Sequence, residues 1–92
     1  MIYRFRSKAT GDLVMMGPVG DRILRLLGRE PASQGIIEAA ALPAAIATLE
    51  QAVAGDDAAR GADKVSLRQR AWPLLEMMRR SQREGHDLVW GV

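Results

Sequence analysis

Apolar residues near the end of the chain recur at helical spacing. Leu67, Ala71, Leu74 and Met78 follow at steps of four, three and four, and Leu75 widens the stripe. Arg68, Glu76, Arg79, Arg80 and Arg83 occupy the other side, so the pattern predicts an amphipathic helix. Ser66 with Gln69 three positions on fits a capping box, and Gly85 can take the left-handed conformation that ends a helix. Leu88, Val89, Trp90 and Val92 then make a strand-like run. Pro73 falls inside this helix, where it withholds the N–H due to the Gln69 carbonyl at a cost of roughly 3 kcal/mol. It predicts a kink that lets a long helix wrap a small core.

The start of the chain has strand periodicity instead. Ile2, Arg4 and Arg6 alternate with Tyr3 and Phe5, which predicts a strand with its aromatic side inward. Ala9-Thr10-Gly11-Asp12 supplies turn chemistry, with Gly11 free to take positive φ, and Leu13 to Met16 is a second apolar run, so the two read as a hairpin. Gly17-Pro18-Val19-Gly20 breaks that strand, and a helix is predicted from Asp21, as cap or first-turn acid, through Leu27. Its stripe is Ile23, Leu26 and Leu27, and Gly28 stops it. Ser33 to Gly35 reads as a loop, and Ile36-Ile37 as a short extended piece. Leu42, Ile46, Leu49 and Val53 predict a helix from about Pro43 to Ala54. Residues 54–64, with Gly55-Asp56-Asp57 and Gly61-Ala62-Asp63, read as a flexible linker.

The expected architecture is a single α+β domain over residues 1–92. A small antiparallel sheet, the N-terminal hairpin plus the C-terminal strand, is packed on one face by about three helices. Tyr3, Phe5, Leu26, Ile46, Leu49, Leu74, Leu75, Met78 and Trp90 are the expected core, and Trp72 also reads as core-bound. A three-stranded sheet leaves two edges to be covered or paired.

Composition narrows the class. Ninety-two residues allow one modest core. The absence of cysteine excludes disulfides and thiolate metal sites and fits a reducing compartment. The opening MIYRFRSK lacks the apolar centre of a signal peptide, and no apolar run nears the roughly 20 residues of a membrane span. A soluble cytoplasmic protein is expected, with no membrane association. The net charge is only +2, but its distribution is uneven. Residues 64–84 are basic through Lys64, Arg68, Arg70, Arg79, Arg80 and Arg83, whereas residues 31–63 are acidic through Glu38, Glu50, Asp56, Asp57 and Asp63.

No catalytic constellation is readable, and no metal or cofactor is expected. His86 is the one histidine and reads as a loop residue; as a general base it has no nucleophile at readable spacing. Asp56, Asp57 and Asp63 read as solvated linker charge, because they lack the alternating oxygen ligands of a calcium loop. Gly17 to Gly20 reads as a strand-to-helix turn, since it lacks the lysine and hydroxyl ending of a phosphate loop. The site candidates are Arg68, Arg70, Arg79, Arg80 and Arg83 on the last helix. Arg79, Arg80 and Arg83 also complement the helix dipole, and no aromatic residue interleaves them for base stacking.

The segments YRFRSKATGDLVMM, ILRLLGRE, QGII and VSLRQRAWPLLEMM with the ending VWGV resemble the short bacterial proteins of the domain-of-unknown-function 1840 family. The resemblance covers the whole chain and implies one domain, with a variable insert where residues 54–64 lie. It implies no activity, cofactor or catalytic residue. Two functions are therefore expected as alternatives. One is a small non-enzymatic interaction or accessory protein, acting as a homo-oligomer or with an unidentified protein partner. The other is an anion or nucleic-acid binder using the arginine face.

Overall fold

The computed structural model of the protein describes residues 2–59 and 66–91. Strand β1 (Ile2–Arg6) turns back as β2 (Leu13–Met16), which runs directly into helix α1 (Gly17–Leu26). Strand β3 (Gly35–Ile37) and one 3-10 turn (Ala39–Ala41) lead to α2 (Leu42–Ala59), and α3 (Leu67–Glu84) hands over to β4 (Leu88–Trp90). The class is α+β, with one antiparallel sheet in the order β2-β1-β4-β3.

The sheet has four strands where three were expected. β4 does not close the hairpin as an outer strand; it sits in the interior, with Phe5 opposite Trp90 on one side and Ile37 opposite Leu88 on the other. That placement gives the short extended piece at Gly35–Ile37 a partner. The inner face is made by Tyr3, Phe5, Met15, Ile37, Leu88 and Trp90, all at most 6% exposed. Phe5 and Trp90 meet tilted with ring centres 5.7 Å apart, and the Trp90 indole N–H donates to the Ala32 carbonyl at 3.1 Å. Gly35 faces Trp90 because only a residue without Cβ leaves room for the indole there.

Helix α3 forms as its spacing predicts. Ser66 Oγ accepts from the Gln69 N–H and Gln69 Oε1 accepts from the Ser66 N–H, both at 3.1 Å, so the capping box is complete. Gly85 ends the helix at φ 72°, with the His86 N–H donating to the Ser81 carbonyl at 2.9 Å. The helix continues unbroken through Pro73, which lies on its exposed side. Leu67, Ala71, Leu74, Leu75 and Met78 are buried as expected, and Met77 joins them. Near the helix end the buried Ser81 hydroxyl donates to the Met77 carbonyl and is joined to Ser7 Oγ, each at 2.7 Å, which ties α3 to the end of β1.

Several boundaries differ from the sequence reading, each for a local reason. α1 starts at Gly17, not Asp21, so Gly17 to Gly20 is a first helical turn with Pro18 in the position where proline is tolerated. Leu24 is fully buried, and Leu26 is half-buried against the margin of the core. Gly11 does not use positive φ; the turn is held by the Thr10 N–H donating to the Ser7 carbonyl at 3.3 Å. α2 runs on past Ala54 to Ala59, taking in the first part of the stretch read as linker, while residues 60–64 of that stretch lie outside those described. Alanine-rich sequence favours the extension, and contacts from Asp56 and Asp57 to α3 hold it.

Opposite signs are expected for glycine substitutions in this frame. A Cβ at Gly20 meets the Tyr3 ring and one at Gly35 meets the Trp90 indole, so Gly20→Ala and Gly35→Ala should each cost about 1–3 kcal/mol by overpacking. Gly55 lies inside α2 with nothing within 4 Å of the added atom, so Gly55→Ala should stabilise by about 0.5–1 kcal/mol. Urea unfolding midpoints check all three; a destabilised Gly55→Ala would contradict the helical assignment of residues 54–59.

Candidate functional site

The five arginines of α3 do not gather into one site, although Arg80 and Arg83 share a cleft beside the β1–β2 turn. Arg68 and Arg79 lie on the flank that meets α2, and α2 supplies the acids that hold them. The Arg68 guanidinium lies 2.7 Å from Asp57 Oδ2, and Arg79 lies 2.6 Å from Glu50 and 2.7 Å from Glu76. Those hydrogen bonds, to Glu50 first and Glu76 second, hold the Arg79 proton more firmly than in a free arginine. Arg80 pairs with Glu84 one turn on, at 3.3 Å. Arg70 and Arg83 are exposed, with no ion pair among the described residues, and they sit near opposite ends of the helix. Thirteen residues of helix separate these two by about 20 Å. A phosphate or base could not meet both.

Trp72 is 48% exposed, which corrects its assignment to the core. Its ring lies beside Arg79, whose guanidinium carbon is 5.4 Å from the ring centre. It sits between Ala71 and Leu74, but on the far side of the helix turn, where Pro73 is exposed as well. The signal was in the spacing: Trp72 lies four residues after Arg68 and four before Glu76, on the polar side of the helix.

The acids read as linker charge have structural work. Asp56 Oδ2 accepts from the Leu67 N–H at 2.9 Å, so α2 provides a carboxylate at the positive end of α3. Asp56 also reaches Arg22 of α1 at 3.5 Å. Asp63, the third acid of that reading, lies outside the described residues. Among the described residues no group of three His, Cys, Asp or Glu side chains converges.

His86 is half-buried rather than loosely exposed, and with Arg6, Lys8 and Asp87 it lines a shallow cleft of about 420 Å³. Asp87 is committed to structure: its Oδ1 accepts from the Ala39 N–H at 2.8 Å, at the start of the 3-10 turn. A second cleft of about 450 Å³ runs between the β1–β2 turn and α3, along Asp12, Pro73, Arg80 and Arg83. Ser7 also lines the first cleft, where its Oγ is hydrogen-bonded to Ser81 Oγ and accepts from the Ala9 N–H.

The surface that sequence reasoning missed is the outer face of the sheet. Ile2 is 62% exposed, Val14 53%, Met16 65% and Ile36 43%. Register places Ile2 opposite Met16, Arg4 opposite Val14, and Val89 opposite both Arg6 and Ile36. Arg4 and Arg6 cross this face and both contact Asp12, at 3.5 and 3.4 Å. The signal was present in Leu13-Val14-Met15-Met16: four apolar residues in a row on a strand with only one covered side force two of them outward. No helix among the described residues is long and apolar enough to cross a membrane.

A protein-family model described as "Domain of unknown function (DUF1840)" matches residues 1–90. No curated protein and no solved structure matches the chain.

Tyr3 is the described side chain whose titration has a measurable consequence. It is buried under the sheet and donates its phenolic proton to Asp21 of α1. Burial first, then the hydrogen bond and the charge of Asp21, push the phenol up to about 12, with Arg25 opposing. Below the ordinary value of about 10 both folded and unfolded chains keep this proton. Above it the unfolded chain loses the proton first, so the contribution of Tyr3 to stability should fall as pH rises from about 10 to about 12. Urea unfolding of the wild type and Tyr3→Phe across that range should show the steeper decline in the wild type; equal slopes would contradict the coupling.

Proposed function

We propose that this chain, which belongs to the DUF1840 family, is a small non-enzymatic interaction protein that docks another protein on the uncovered side of its sheet. One observation carries the reading: Ile2, Val14 and Met16 form a contiguous apolar patch, each more than half exposed, on a sheet face that no helix among the described residues covers. Single exposed apolar residues are ordinary, but a contiguous cluster marks an interaction surface. An antiparallel sheet with one wet face normally carries polar side chains there. Here only Arg4 and Arg6 do so, and they border the patch rather than interrupt the Ile2–Met16 pair.

The cytoplasm is where we place it, because a cysteine-free chain suits a reducing compartment. The alternative of an anion or nucleic-acid contact through Arg68, Arg70, Arg79, Arg80 and Arg83 draws little support from a set in which Arg68 and Arg79 already hold carboxylates of α2.

Crosslinking in cells tests the reading. The wild type should give a species heavier than the chain alone, and a variant carrying Val14→Lys with Met16→Lys should lose it. Both positions point outward, so the variant should keep its far-ultraviolet circular dichroism. A folded variant that crosslinks like the wild type, or a wild type that crosslinks to nothing, would overturn the proposal.

A further inference from the structure

The two edges of the sheet are not alike. β3 is only Gly35–Ile37, and the Ile36 carbonyl accepts from the Arg29 guanidinium at 2.9 Å, so a side chain already occupies that edge. β2 has no such cover. Among the described residues, the backbone of Leu13, Val14 and Met15 makes no hydrogen bond beyond the ladder with β1. Proteins that leave an edge strand open usually blunt it with a charge, a proline or a bulge. Leu13-Val14-Met15-Met16 contains no charge and no proline, its register with β1 is continuous, and Gly17-Pro18 comes only after the strand has ended.

We propose that this edge pairs with β2 of a second copy, antiparallel about a two-fold axis, to join the two sheets into one of eight strands. The inference rests on the interaction reading above, names a second copy as the partner, and places the contact at the β2 edge beside the outer face rather than on it. A strand paired antiparallel with itself keeps its inner and outer sides only when the residues opposite each other share a side. Placing Met15 opposite its own counterpart meets that condition. Met15 then stays inward in both copies, and Val14 lies opposite the second copy's Met16 on the outer face.

Charge favours this geometry over stacking the outer faces. In the edge pairing, Val14 to Met16 of one copy meets Met16 to Val14 of the other, so no charged residue faces another across the new ladder. Stacked faces would instead bring Arg4 and Arg6 of both copies into one desolvated layer. Edge pairing leaves those arginines in water and sets the two Ile2–Met16 patches side by side. It also supplies the backbone partners that β2 lacks, which stacking would not.

The test combines oligomeric state with amide exchange on the intact chain. Native mass spectrometry and light scattering across about a hundredfold dilution should show a dimer giving way to monomer. Alternate amides of β2 should be protected from hydrogen exchange in the dimer and exposed in the monomer. Val14→Lys with Met16→Lys should be monomeric and folded, and so should Val14→Glu with Met16→Glu. Mixing these two variants should restore the dimer, because each introduced lysine then lies opposite an introduced glutamate. A chain monomeric at every concentration overturns the inference, and so does a dimer whose β2 amides exchange as in the monomer. If the crosslink in cells persists in either case, the interaction reading survives with a different partner or surface; if it is absent, both fail.

Discussion

Strand β4 is three residues long, and the architecture depends on where it lies. It enters between β1 and β3, so that one short segment pairs on both sides. Without it, β1 and β2 are an isolated hairpin, a form that is marginal in water, and β3 has no neighbour. Bringing Trp90 opposite Phe5 closes almost the whole chain into one loop. Loop-closure entropy grows only slowly with length, so a strongly buried contact can sustain that closure. The aromatic cluster of Tyr3, Phe5 and Trp90, each at most 2% exposed, is such a contact.

The helices are fitted to this closure from both ends. Gly85 ends α3 in the left-handed conformation and delivers the chain to β4, while Ser66 and Gln69 fix where α3 begins. The acidic end of α2 would be unfavourable alone, since carboxylates there oppose the helix dipole. Packed against the start of α3, the same carboxylates become favourable: Asp56 takes the Leu67 N–H and Asp57 takes Arg68. Two helix ends with opposite needs satisfy each other. This arrangement accounts for Arg68 and Arg79, two of the five arginines of α3, which serve the α2–α3 contact.

What remains is asymmetric. The inner face of the sheet is dry and fully packed, and the outer face carries large apolar side chains next to two arginines that share one carboxylate. Arg29 occupies the Ile36 carbonyl on one edge, and among the described residues nothing pairs with the other.

The sequence by itself determined the elements whose cause is local. Spacing determined α3 and its stripe, Ser66 and Gly85 its ends, alternation the inward side of β1, and repetition at four, three and four the buried line of α2. These rest on periodicity and capping, which act within a few residues. The tertiary structure alone decided the interior place of β4, the promotion of Gly35–Ile37 to a strand, and the continuation of α2 to Ala59. It also decided that Arg68 and Arg79 are held by α2, and which two of Leu13 to Met16 face solvent. Each of these depends on which residue lies opposite across tens of positions of chain. Strand pairing and ion pairing between helices are long-range contacts, and an apolar residue looks the same in the sequence whether its neighbour is the core or the surface.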